Sequence, residues 1–171
     1  MKTYLLDTSV LIDLAKTGAL EKLQRWGGAH WLCLDLVIAE FEEEAGDTER
    51  YQLKKMEEHL EVLKLDSKDL AAASKLHCQP NVNSIIDKAL IFKADMFKSI
   101  LLTGDKTLRK AAENKGLEVH GSIWVIDEMH RLKVIDEAHL FSTFEKLKRS
   151  NPRLPQDELD KRINRYNDSL D

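Results

Sequence analysis

The chain of 171 residues carries 30 Asp and Glu against 26 Lys and Arg, and four of its acids stand where chemistry can be done. Asp7 ends the apolar run TYLL, and Asp105 follows the run Ile100, Leu101, Leu102 across a short Thr103-Gly104 step. Asp87 opens the helical pattern that begins after Ser84, and Glu40 lies one helical turn beyond the stretch HWLCLDL. Carboxylates packed together repel, by about 4 kcal/mol per pair at ~4 Å for an effective dielectric near ~20. A cluster of them therefore takes up protons or binds a cation. With oxygen as the only donor, Mg²⁺ or Mn²⁺ is favoured over zinc. Such ions suit phosphodiester hydrolysis, because they lower the pKa of bound water and offset charge on the leaving oxygen. No side-chain nucleophile is then required.

Acids so far apart in sequence meet only if the fold collects them, and a parallel sheet does so. Its strands point one way, their carboxyl ends share an edge, and that edge is where ligands bind. The sequence has the parts. TYLLD reads as a strand, His30 to Leu36 as a second, EVLKL as a third, Ile100–Leu102 as a fourth and EVH before Gly121 as a fifth. Between them lie helical patterns: VLIDLAKTGALEKLQRW broken at Gly18, VIAEFEEEAGD, a charged helix over 48–60, SKDLAAASKLHC capped by Ser67, IIDKALIFKAD capped by Ser84, and KTLRKAAENKG. This alternation predicts a parallel α/β sheet with helices on both faces.

From residue 122 onward only helices are expected, at SIWVIDEMHRL, EAHLFSTFEKLKRS and QDELDKRINRYN. Leu140, Phe141, Phe144 and Leu147 form an apolar stripe that must be covered, and the chain's own core is the expected cover. The expected division is a domain over 1–121 that carries the acids and a helical extension over 122–171 packed on it.

Composition narrows the class. A hydrophobic fraction of 43% and a charged fraction of 33% describe a soluble globular chain, and the net charge of −4 argues against nucleic-acid binding by overall charge alone. A local basic patch is compatible with that balance. Cys33 and Cys78 are isolated, which fits neither a disulfide framework nor a zinc site and suits a cytoplasmic protein. No apolar run approaches the ~18 residues of a spanning helix, so no membrane role is expected. Asp7 and Asp13 interrupt the start, which is therefore not read as a signal peptide. No G-x-G-x-x-G or G-x-x-x-x-G-K-[ST] supports a nucleotide cofactor.

Each acid also has a purely structural reading. Asp7 and Asp105 suit helix N-caps, Asp87 suits the third position of a capping box with Ser84, and Glu40 can begin the solvated run Glu42, Glu43, Glu44. Their joint placement at strand ends is what favours a site. Asp13, nearly two turns into the first helix, is read as solvated or peripheral. His77-Cys78 lacks a second ligand pair and is read as a half-buried helix end. Lys106, Arg109, Lys110 and Lys115, and later Lys146, Lys148, Arg149 and Arg153, are solvated helix faces or holders of RNA phosphates beside the acids.

YLLDTSVLIDL, the acid in LVIAEF, IIDKALIFKAD and ILLTGDKTLRKAAENKGLEVHG together resemble the successive motifs of the PIN domain, over residues 3 to about 121. The resemblance implies a five-stranded parallel sheet in a three-layer α/β/α sandwich. It implies a metal-dependent endoribonuclease with Mg²⁺ or Mn²⁺ as cofactor and RNA as substrate. The family's acidic tetrad falls on Asp7, Glu40, Asp87 and Asp105, and the hydroxyl often beside it on Thr103. Glu40 would ligate the metal or orient the attacking water. The family includes toxins of VapC-type toxin–antitoxin pairs, so an antitoxin protein and a homodimeric state are further expectations, with Trp26, Trp31 and Trp124 as candidate dimer anchors. The competing expectation is a non-catalytic PIN scaffold that binds RNA or protein through its helical extension.

Overall fold

The computed structural model describes residues 1–168. Its first strand, β1 (Lys2–Leu6), buries Tyr4, Leu5 and Leu6 in succession. Unbroken burial, rather than alternation, marks a strand covered on both faces, as at the centre of a parallel sheet. The remaining strands are β2 (Ala29–Leu34), β3 (Leu60–Leu63), β4 (Ile100–Leu102) and β5 (Val119–His120), and the sheet order is β3-β2-β1-β4-β5. Every pairing is parallel, and Leu6 stands opposite Cys33 on one side and Leu102 on the other. The chain therefore builds outward from β1 to β3, then returns to lay β4 on the opposite side of β1. That reversal opens a crevice at the carboxyl ends of β1 and β4, the switch point where open α/β sheets bind ligands.

Helices complete a three-layer α/β/α sandwich: α1 (Thr8–Thr17), α2 (Asp35–Glu44), α3 (Asp47–Met56), α4 (Ser67–Ser74), α5 (Ile85–Phe97) and α6 (Lys106–Asn114). Gly18 ends α1 in the left-handed conformation at φ 74°, where a side chain would be strained, and a 3-10 turn over Leu20–Arg25 follows. Several boundaries differ from the sequence expectation, among them the end of α4, which stops at Ser74 rather than Cys78. β2 stops at Leu34 because Asp35 begins α2, its carboxylate accepting from Leu36 N at 2.9 Å, and an acid favours the first helical turn. The charged helix α3 ends at Met56, and Leu60 already belongs to β3. The cap of α4 is Asp66, not Ser67, since Asp66 and Asp69 exchange both bonds of a capping box.

Beyond β5 come α7 (Ser122–Arg131), α8 (Glu137–Ser150) and α9 (Gln156–Asp168). Helix α8 lies on α1 and α7, with Phe144 and Leu147 fully buried and Leu140 and Phe141 half-buried. Burial of a large apolar side chain is worth about 1.5–3 kcal/mol, so α8 is held firmly. Arg162 of α9 forms a forked ion pair with Asp127 of α7, and Lys148 of α8 pairs with Asp160 of α9. Of the extension expected over 122–171, residues 169–171 lie outside the described residues. Trp26 and Trp31 are buried against Tyr4, which stacks on Trp31 at 4.8 Å, so both are core residues and neither can anchor a dimer. Among the described residues, no helix is long and apolar enough to cross a membrane.

Candidate active site

Asp7 is the first residue past β1, and its backbone N–H donates to Leu102 O of β4 at 3.0 Å. Its carboxylate gathers donors from both corners of the crevice. Oδ1 accepts from Thr8 N at 2.7 Å, and Oδ2 accepts from Ser9 Oγ at 2.8 Å and from Thr103 Oγ1 at 2.6 Å. Both hydroxyls pass the connection on: Ser9 Oγ accepts from Gly104 N at 2.9 Å, and Thr103 Oγ1 from Asp105 N at 3.0 Å. A Cβ on Gly104 would stand 3.4 Å from Ser9 Oγ, so the approach of the two corners suits glycine there. Asp105 caps α6, its Oδ1 accepting from Leu108 N at 2.7 Å. The capping readings of Asp7 and Asp105 are thus correct as local structure, and they do not exhaust either carboxylate.

Glu40 projects from α2, and its Oε2 accepts from Thr8 Oγ1 at 2.6 Å. Asp87 sits in the first turn of α5, where only half of the expected capping box forms. Ser84 Oγ accepts from Asp87 N at 3.3 Å, but among the described residues no donor reaches the Asp87 carboxylate. All four acids line one cleft of about 890 Å³. The Asp87 carboxyl is pushed up to about 6, first by burial and then by the neighbouring Asp7, Asp105 and Glu40. Asp7 is raised as well, because burial outweighs the bonds from Thr103, Ser9 and Thr8.

Each carboxylate has about four lone-pair positions. Among the described residues, Asp7 has three donors, leaving one place on Oδ1; Asp105 and Glu40 have one donor each, and Asp87 has none. The free positions are all oxygen, the donor set of a hard divalent cation. Among the described residues, no three Asp, Glu, His or Cys side chains stand close enough to hold a metal ion by themselves. Mg²⁺ is commonly bound through only one or two carboxylates, with water and substrate phosphate completing the shell, so a closed protein cage is not required.

Other residues fall differently from expectation. Asp13 is not solvated: it is 3% exposed, with Ser122 Oγ donating to Oδ2 at 2.6 Å and Asn151 Nδ2 to Oδ1 at 2.9 Å. Burial raises its pKa against those bonds. Helix α8 covers this turn of α1, which the local sequence cannot reveal. Thr103 is wholly buried, so it acts on Asp7 and Asp105 rather than on a substrate. Ser9 is a further site residue, and its place two after Asp7 is that of a hydroxyl able to fold back on the carboxylate. Of the basic residues, Lys106 and Arg153 line the cleft, whereas Arg149 pairs with Glu145. His77 and Cys78 follow α4 in a connecting segment, His77 exposed and Cys78 buried, and neither lines the cleft.

Comparison with known proteins adds three findings. A family model described as a PIN domain matches residues 3–168, so the match continues through the C-terminal helices. The crystal structure of PAE2754 from Pyrobaculum aerophilum is similar in fold, with a TM-score of 0.55 and 21% identity over 78% of this chain and 98% of that one. No curated protein matches the chain significantly.

Proposed function

This chain belongs to the PIN-domain family, whose members are generally nucleases, and on that premise we propose that it is a metal-dependent endoribonuclease. One observation carries the proposal. Asp87 is held half-buried beside three other acids with no hydrogen-bond donor to its carboxylate among the described residues, an arrangement that costs stability unless a cation arrives. Asp7, Asp87 and Asp105 would hold Mg²⁺ or Mn²⁺ directly or through water. The bound ion supplies Lewis acidity, activating water and offsetting charge on the leaving oxygen.

The chain's own residues do the remaining work. Ser9 and Thr103 fix the Asp7 carboxylate in one orientation, and Thr103 ties that orientation to the start of α6. Thr8 holds Glu40 by Oε2, which leaves Oε1 to orient the attacking water and take its proton. Lys106 and Arg153, exposed at the rim, hold phosphates of the strand against the acidic field. A toxin role beside an antitoxin protein, and a homodimeric state, belong to the same proposal and rest on the family resemblance.

The test is cleavage of structured RNAs by wild type in Mn²⁺, in EDTA, and after Mn²⁺ is restored, beside Asp105→Asn. Asn also caps helices well, so the variant keeps α6 while removing one charged oxygen. Cleavage should need the metal and should drop to the EDTA level in Asp105→Asn. Wild type that cleaves no RNA in Mn²⁺ would point to the scaffold role instead.

A further inference from the structure

A second cavity, of about 350 Å³, adjoins the acidic cleft and shares with it Gly104, Lys106, Arg153 and Leu154. Its size falls at the lower end of the ~300–1,000 Å³ typical of small-ligand sites. His120 and Trp124 both line it, stacked on each other with centroids 3.9 Å apart and planes within 7°. Arg109 forms the floor, its guanidinium donating to Thr103 O at 3.1 Å and Val119 O at 3.3 Å. The absence of a side chain at Gly121 makes this possible, since a Cβ there would lie 2.9 Å from Arg109 Nη2. Asp127, one helical turn beyond Trp124 on α7, and Glu158 of α9 also line the cavity, and both are engaged by Arg162. Lys106 and Arg153 have no ion-pair partner among the described residues, so the cationic charge at the boundary is free.

Resting on the ribonuclease reading, we propose that this cavity is a nucleotide subsite for single-stranded RNA adjoining the acidic cleft. One base lies against the His120–Trp124 pair, and its phosphate lies on Lys106 and Arg153. A ring platform accepts any base through its π-face, which makes such a subsite tolerant of sequence. Only an unpaired base exposes that face, so the substrate is a loop or single strand rather than an A-form duplex. The shared boundary makes the cavity continuous with the acids, and the turn carrying Arg153 and Leu154 gives the helical extension a part in holding the strand.

The test measures binding without cleavage. A labelled single-stranded RNA, and an abasic oligonucleotide of the same length, are titrated by fluorescence anisotropy in EDTA at low salt. The proteins are wild type, Arg153→Glu, Lys106→Glu, His120→Ala and Lys2→Glu, the last an exposed lysine at the amino end of β1 outside both cavities. Arg153→Glu and Lys106→Glu should each weaken both ligands roughly tenfold and lower the salt slope by about one. His120→Ala should weaken RNA roughly fivefold and leave the abasic ligand unchanged, and Lys2→Glu should match wild type. Equal binding by all five proteins, or no binding by wild type, would overturn the subsite and leave the cavity to a protein segment. Loss of discrimination between RNA and abasic ligand in wild type would remove the base pocket. Wild type that binds as described but cleaves no RNA in Mn²⁺ would sink the ribonuclease reading and spare the subsite. Active wild type with unaffected variants would do the reverse.

Discussion

Replacing Asp87 with Asn should stabilise the metal-free protein at neutral pH, although it removes a charge from the favourable end of a helix. Burial and the neighbouring acids push the Asp87 carboxyl from 3.8 to about 6. At 1.36 kcal/mol per pH unit, that rise corresponds to about 3 kcal/mol. Asp87 is only half-buried, and solvent screening brings the figure to about 1–2 kcal/mol. Loss of the acid from the first turn of α5 costs about 0.3–1 kcal/mol in the other direction. The net gain is about 1 kcal/mol, or about 2–4 °C in Tm for a chain of this size. The sign depends on pH. Below about pH 4 the carboxyl is protonated both folded and unfolded, and no penalty exists. As pH rises through about 6, the folded chain gives up a proton that it holds more tightly than the unfolded chain does, and stability falls. Urea melts in EDTA at low and neutral pH should therefore show Asp87→Asn above wild type at neutral pH only. An Asp87→Asn deficit of the same size at both pH values would refute the reasoning.

Three further substitutions probe the surroundings. Asp13→Ala leaves Ser122 Oγ and the Asn151 amide without their buried acceptor and should cost about 3 kcal/mol in urea melts, with Asp13→Asn costing less. Thr103→Val keeps the shape but removes the bond to Asp7 and the acceptor for Asp105 N. It should lose about 1–3 kcal/mol and most cleavage activity, whereas Thr103→Ser should retain both. Gly121→Ala should drive the Arg109 guanidinium off its two carbonyls, seen as a lowered affinity for single-stranded RNA with Tm nearly unchanged.

The positions of Asp7 and Asp105 could be read in the sequence because both lie at a strand end that is also a helix start. That conjunction appears in local residue types. Parallel pairing then brings the two ends together whatever the strand order. The half-formed capping box at Asp87 was less accessible, since Ser84 and Asp87 have the right spacing and only the geometry shows that the acid does not bond back. Asp66 as the cap of α4 was within reach, because Asp69 stands three residues later, but the adjacent Ser67 offered an equally good signal. Asp13 could not be read from its neighbours at all. Its burial depends on Asn151, 138 residues away, and on Ser122, 109 residues away. The second cavity has the same character: its walls come from β5, α6, α7, α9 and the turn before α9, and no local pattern announces them.

The central claim is that the four acids form a cation site, and the most direct measurement is a Mn²⁺ titration of Tm at neutral pH for wild type and Asp105→Asn. A ligand that binds only the folded chain stabilises it by about 2.7 kcal/mol at 100 times its Kd, which is about 5–10 °C for a chain of this length. Wild type should show a saturable rise of that order, and Asp105→Asn should begin no less stable and gain little. A wild-type Tm that does not move with Mn²⁺, or one that rises equally in Asp105→Asn, would contradict the account.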